Sequence, residues 1–181
     1  KFVKFLNLLH TAVQLKKPFA IRYPKSITSA FNVNRIPEFL PIGSWEYIWK
    51  VPEATITILA VGSMLSMITD KKEKLEKNIN CKINLINCRY IKPLDLKILE
   101  SIISEYNLCH NVITIEEGSL IGGFGSRIND YFMNFFNKIK VTSLGIPDSY
   151  IEHGSRQELL DEIGLDINGV IEVIKVITNE R

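Results

Sequence analysis

Residues 112–132, VITIEEGSLIGGFGSRINDYF, decide the fold. Val112, Ile113 and Ile115 make a short apolar, β-branched run that suits a buried strand. Glu116 and Glu117 follow, then a loop carrying Gly118, Gly122, Gly123 and Gly125. Ile128, Tyr131, Phe132 and Phe135 recur at helical spacing, which predicts a helix from about Ser126. Strand, glycine-rich turn and helix form the repeating unit of an open α/β sheet, whose ligands bind beyond the carboxyl ends of the strands.

The same unit recurs on both sides of this stretch. Ala54 to Val61 is almost wholly apolar, as a strand covered on both faces should be. Gly62 turns the chain, Ser63 is placed to cap, and Met64, Leu65, Met67 and Ile68 open a helix. The KKEKLEK run that follows reads as a solvated helical face with Leu75 as its apolar contact. Ile83 to Asn87 is the next strand, and Asp95 is placed to cap a helix with Ile98, Leu99, Ile102 and Ile103 inward. Lys140 to Leu144 gives another strand. Ser155 and Glu158 have capping-box spacing, Gly164 ends that helix, and Asp166 or Asn168 starts the last one. Alternation of this kind predicts an α/β fold, an open, mostly parallel sheet with helices on both faces.

The first part of the chain differs. Phe2, Phe5, Leu6, Leu9 and Val13 form the buried face of an amphipathic helix that Pro18 stops, and Phe19 to Tyr23 reads as a short strand. One helix and one strand cannot enclose a core, and the chain opens within a helical pattern, so we expect a piece of a longer protein. From Ser26 to Pro52 periodicity is weak, and Trp45, Tyr47 and Trp49 suggest a short edge strand that packs on the following domain.

Bulk properties exclude several classes. In 181 residues the net charge is +2, which gives no electrostatic footprint for nucleic acid or an anionic membrane. The longest apolar run, Ile56 to Val61, is strand-sized rather than membrane-spanning. Cys81, Cys88 and Cys109 lack Cys-x-x-Cys spacing and sit beside apolar runs, which favours reduced thiols.

Candidate chemistry is sparse. The glycine turn lacks the Lys-Ser/Thr of a P-loop and departs from Gly-x-Gly-x-x-Gly, so its glycines read as structural rather than as an anion cradle. Adjacent Glu116 and Glu117 point to opposite faces of a strand and cannot act as a paired acid and base, although one can cap or pair locally. His10, His110 and His153 show no metal-ligand spacing, and only His153, in EHGS before a helix, has an active-site setting. Arg22 and Lys25 in RYPKS flank a proline at a strand end, where two cations suit a phosphate or carboxylate; a solvated strand end or an ion pair with a neighbouring domain is the alternative.

Taken together, RYPKS, LPIGSWE, ILAVGSM, CRYIKPLD, EEGSLIGGFGS, LGIPDSYIEHGS and GLDINGV resemble, in order, the carboxyl-terminal portion of the 1-deoxy-D-xylulose-5-phosphate synthase family. These are transketolase-like thiamine-diphosphate enzymes. The resemblance implies a homodimer that uses thiamine diphosphate and Mg2+ to condense pyruvate, with decarboxylation, and glyceraldehyde 3-phosphate for isoprenoid precursor synthesis. It implies that residues 1–25 are the tail of a pyrimidine-binding domain, 26–53 a linker, and 54–181 a transketolase-like C-terminal domain. The cofactor and metal motifs of such enzymes are absent here, so the chain alone is expected to be inactive and to bind no cofactor. One contact carries over: Lys25 stands where the family's Arg-Tyr-Pro-Arg-Gly string has a substrate-contacting arginine, with Ser26 in place of the glycine, and Arg22 ranks second. A 2-oxoacid dehydrogenase β subunit, a transketolase, or a non-catalytic dimerisation module stand as alternatives. The many Lys, Asn and Ile residues suggest an AT-rich genome and a plastid-type organelle, with a bacterial cytoplasm as the alternative.

Overall fold

The computed structural model describes residues 2–23, 36–107 and 110–179. Five strands form one sheet among them: β1 (Glu46–Trp49), β2 (Ile56–Ala60), β3 (Ile83–Asn87), β4 (Asn111–Ser119) and β5 (Lys140–Ile146). Their order is β1-β3-β2-β4-β5, with β1 antiparallel to β3 and every other pairing parallel. The expected edge strand is therefore present, with a register shift between Tyr47 and Trp49 that bends it.

Alternation along the strands separates two cores. Ile56, Ile58, Ala60, Ile83, Leu85, Ile113 and Ile115 face one side. There they meet α2 (Ser63–Asp70), α3 (Lys72–Asn78), α6 (Arg156–Glu162) and α7 (Ile167–Asn179) through Met64, Ile68, Leu75, Leu160, Val170 and Ile174. Leu59, Ile86 and Val112 face the other side and meet α4 (Leu96–Ser104) and α5 (Phe124–Phe135) through Leu99, Ile102, Phe124, Ile128 and Phe132. Both faces of the central strands are thus removed from water, which is why β2 and the start of β4 run nearly apolar, while β3 carries the buried Asn84 and Asn87. Trp45 closes the second core: its ring lies edge-on to Phe124 at 5.7 Å, and its indole N–H donates to the Tyr90 carbonyl at 2.8 Å.

Several caps act as the sequence predicts. The Asp95 carboxylate accepts the Ile98 N–H at 3.1 Å, the Ser155–Glu158 capping box is complete, and Asp166 accepts from the Gly169 N–H at 2.8 Å. Others differ. Ser63 does not cap α2; the N-cap is Gly62, at φ 61°, and the Ser63 hydroxyl turns elsewhere. The helix expected from about Ser126 starts at Phe124, and Ser126 instead ties the preceding turn, donating to Leu120 O at 2.7 Å.

The amino-terminal region needs one correction. Helix α1 (Phe2–Leu15) forms, but residues 18–23 join no strand ladder among the described residues. A β-propensive run becomes a strand only where a sheet edge accepts it, and β5, β4, β2, β3 and β1 pair with one another instead. Polar contacts hold this region on the second core. Asn7 accepts from Glu38 N at 3.2 Å, buried Thr11 accepts from Leu40 N at 2.8 Å, and the Phe19 ring lies edge-on to Tyr90 at 6.2 Å.

Candidate functional site

In the strand order, β3 lies on one side of β2 and β4 on the other, so the chain leaves β2 and β4 in opposite directions. The crevice between their carboxyl ends is the switch point where open α/β sheets bind ligands. Ser63 follows β2 there, Glu116 and Glu117 stand near the end of β4, and of these Ser63 and Glu117 line it.

The two glutamates part company, as adjacent residues of a strand must. Glu116 is buried at 5% exposure, and its Oε1 accepts the Gly125 N–H at 2.9 Å. This carboxylate caps the first turn of α5 from the neighbouring strand and answers the positive end of the helix dipole. The glycines around it make room: a Cβ on Gly118 would lie 2.5 Å from Glu116 Oε2, and one on Gly123 would lie 2.6 Å from Oε1. The glycine turn therefore encloses an anion that belongs to the chain itself. Gly125 has a different duty, since a Cβ there would meet Ser143 Oγ at 2.5 Å and Thr114 Oγ1 at 2.6 Å. It brings α5 down onto the sheet.

Glu117 faces the crevice and gathers three remote parts of the chain. Its carboxylate accepts the Ser63 hydroxyl at 2.9 Å and pairs with the Arg156 guanidinium, while Arg156 also reaches the Ser63 hydroxyl at 3.3 Å. The Glu117 backbone carbonyl accepts from Arg22 Nη2 at 2.5 Å. Beside this cluster an open cleft of about 190 Å³ runs between α2 and α6 over Met64, Met67, Leu160 and Leu165.

Of the two cations singled out in the sequence, Arg22 is thus placed at the switch point, and Lys25 lies outside the described residues. His153 is exposed, His10 bonds Gln14 at 3.1 Å, and His110 meets the Tyr106 carbonyl at 3.2 Å. Among the described residues, no three His, Cys, Asp or Glu side chains stand together as metal ligands. Sequence reasoning missed Ser63 and Arg156 as members of one cluster, because nothing in their local patterns connects them.

Other motifs prove to hold the domain together. LPIGSWE folds onto CRYIKPLD: Arg89 Nε donates to Ser44 O at 2.8 Å, Trp45 N donates to Asp95 Oδ2 at 2.7 Å, and a Cβ on Gly43 would lie 2.9 Å from Pro93 Cγ.

Comparison with known proteins agrees with this architecture. A family model for the transketolase C-terminal domain matches residues 46–170, and the chain belongs to that family. Within it, the chain is similar to 1-deoxy-D-xylulose-5-phosphate synthases. That of Geobacillus sp. (strain WCH70) is 36% identical over 94% of this chain and 26% of its own length. That of Dehalococcoides mccartyi (strain CBDB1) is 35% identical over 96% of this chain and 26% of its own length. The chain therefore spans about a quarter of these curated relatives. A solved structure of a split-gene transketolase, described as an inactive β4 tetramer, superposes with a TM-score of 0.66 at 22% identity, covering 82% of this chain and 46% of that one. That likeness shows the fold.

Proposed function

We propose that the chain is the carboxyl-terminal portion of a transferase that condenses pyruvate, with decarboxylation, and D-glyceraldehyde 3-phosphate to 1-deoxy-D-xylulose 5-phosphate for isoprenoid precursors. The observation that carries this reading is kinship along nearly the whole chain: relatives of that name are 30–36% identical over 93–96% of it.

The described residues do not fit the cofactor that such a reaction needs. Thiamine diphosphate with Mg2+ requires donors for the diphosphate and carboxylates for the metal. Here the inviting glycine turn already spends its Gly125 N–H on Glu116, and the Glu117 carboxylate beside it is paired with Arg156. A diphosphate brought to that turn would have to displace the Glu116 carboxylate. In our reading the cofactor binds parts of the enzyme outside this chain, the chain alone is inactive, and residues 1–25 close a pyrimidine-binding domain while 54–181 form the C-terminal one. The full enzyme works as a homodimer in a plastid-type organelle or a bacterial cytoplasm.

The test is a coupled assay on the full-length enzyme with pyruvate, D-glyceraldehyde 3-phosphate, thiamine diphosphate and Mg2+. Formation of 1-deoxy-D-xylulose 5-phosphate with release of CO2 is expected. No product from that pair, or tight calorimetric binding of the cofactor by the 181-residue chain, would overturn the reading.

A further inference from the structure

We propose that the cleft between α2 and α6 binds a small aliphatic carboxylate, its tail over the methionine and leucine floor and its head on Arg156. This site goes beyond the synthase reading and does not depend on it.

The cleft is fixed at both ends of α6. At the start of the helix Arg156 reaches Glu117 on β4, and just beyond its end the Leu165 N–H donates to the Leu160 carbonyl at 2.8 Å. Both leucines are buried and form one side of the floor. On α2, Met64 and Met67 stand three residues apart, so they share a helix face and form the other side. Methionine side chains are unbranched and polarizable, and they adapt to an aliphatic guest of irregular shape. A cavity of about 150 Å³ accepts one benzene, so the 190 Å³ here suits a body of roughly six to eight non-hydrogen atoms. A nucleotide is far larger.

The walls select the charge. Their ionised side chains are the cations Lys71 and Arg156 and the single acid Asp70. Arg156 is the anchor, because it is held in place before a ligand arrives. Its Nη2 pairs with the Glu117 carboxylate and lies 3.3 Å from the Ser63 hydroxyl, while Nε and Nη1 carry the rest of its donors. The side chain is 54% exposed, so a carboxylate can meet it at the mouth without being buried. A guanidinium fixed in this way loses little freedom when it binds. Gln157 is no competing donor of the same kind, since its amide donates to Asp161 at 2.7 Å. An alcohol leaves the cationic excess unanswered, and an amine meets two cations against one acid.

The experiment titrates the full-length enzyme, labelled at its methionine methyl groups for NMR, with isocaproate. Met64 and Met67 report on the cleft, and Met133 on α5, across the sheet, is the internal control. The first two signals are expected to shift saturably with a Kd of about 1 mM, while Met133 stays in place. Isohexanol, isohexylamine and acetate keep only the tail, the tail with the wrong charge, or the head; each should bind at least about tenfold more weakly. R156Q should weaken isocaproate about tenfold, and R156K should recover most of that loss. M67Q, which wets the floor, should weaken it by a similar factor of about ten. No saturable shift at Met64 and Met67, equal binding of the alcohol or the amine, or a Met133 shift as large as theirs would overturn the site. If R156Q disturbs the ligand-free spectrum at Met133, M67Q decides, and undiminished binding in it overturns the proposal.

Discussion

The Glu116 carboxylate accepts the Gly125 amide at 2.9 Å, so the side chain of a strand residue caps the helix that follows it. That bond fixes how sharply the chain turns from β4 into α5, and it depends on absent side chains. On Gly123 a Cβ would lie 2.1 Å from Ser119 O as well as 2.6 Å from Glu116 Oε1, and backbone cannot yield as a flexible side-chain tip does. G123A is therefore expected to destabilise the chain by roughly 1–3 kcal/mol or more, in the range of an overpacked core. E116A should cost about 1–3 kcal/mol by orphaning a buried amide. Urea unfolding followed by Trp fluorescence would measure both, and an unchanged midpoint for G123A would refute the account of this turn.

Asp95 holds two backbone amides at once. One oxygen caps α4 at Ile98 N and the other accepts Trp45 N, so a single carboxylate pins a helix start to the segment before β1. D95A removes both, with an expected cost of about 2–4 kcal/mol, the sum of a lost cap and an unpaired buried N–H. D95N should keep part of each bond and fall between. Because Trp45 is buried against Phe124, its emission should redden in D95A under native conditions. Equal stability of the two variants would refute this account, because D95N keeps bonds that D95A lacks.

These two cases show what the sequence could and could not disclose. Asp95, Ser155 with Glu158, and Asp166 were legible because capping is local chemistry, decided within three residues. Ala54 to Val61 was legible because a doubly covered strand has a distinctive composition. The residues 18–23 misled because strand propensity says nothing of whether a sheet edge is available. Ser63 was read as a cap for the same reason: its partner Glu117 is 54 residues away, and only the strand order brings the two together. Arg22 and Glu117 were each visible and Arg156 was not singled out, because the meeting of the three is a property of topology.

A pH effect follows from the capping box of α6. The Glu158 carboxyl is held below its ordinary 4.5 by the Ser155 hydroxyl first and the Ser155 amide second. A folded-state pKa below the unfolded one means that the contribution is present above about pH 4.5 and is lost as pH falls through the folded value. In S155A, NMR titration should show Glu158 moving back up toward 4.5. An unmoved titration would show that the hydroxyl is not the cause.

Cys88 lies at 1% exposure between β3 and the second core, and burial, with the nearby Asp95 charge, pushes its thiol well upward. Since the thiolate is the reactive form, Cys88 should resist alkylation of the native chain at pH 8 and label only as fast as the fold opens. Mass spectrometry after timed iodoacetamide treatment would follow it, and labelling faster than unfolding would contradict this burial.

The last prediction concerns Lys25, where the family's string carries arginine. An ammonium keeps the charge but lacks the planar fork that meets two phosphate oxygens at once. If Lys25 holds the phosphate of glyceraldehyde 3-phosphate, K25A in the full-length enzyme should raise that substrate's KM by about 10- to 100-fold, the worth of one charge-assisted contact. K25R should instead match or lower the wild-type value, because the fork restores bidentate geometry. Pyruvate carries no phosphate, so its KM should stay within about twofold in both variants. The contrast between substrates is what assigns the role. A residue that merely supports the fold would move both constants together and would not improve when replaced by arginine, and that pattern would remove Lys25 from the site.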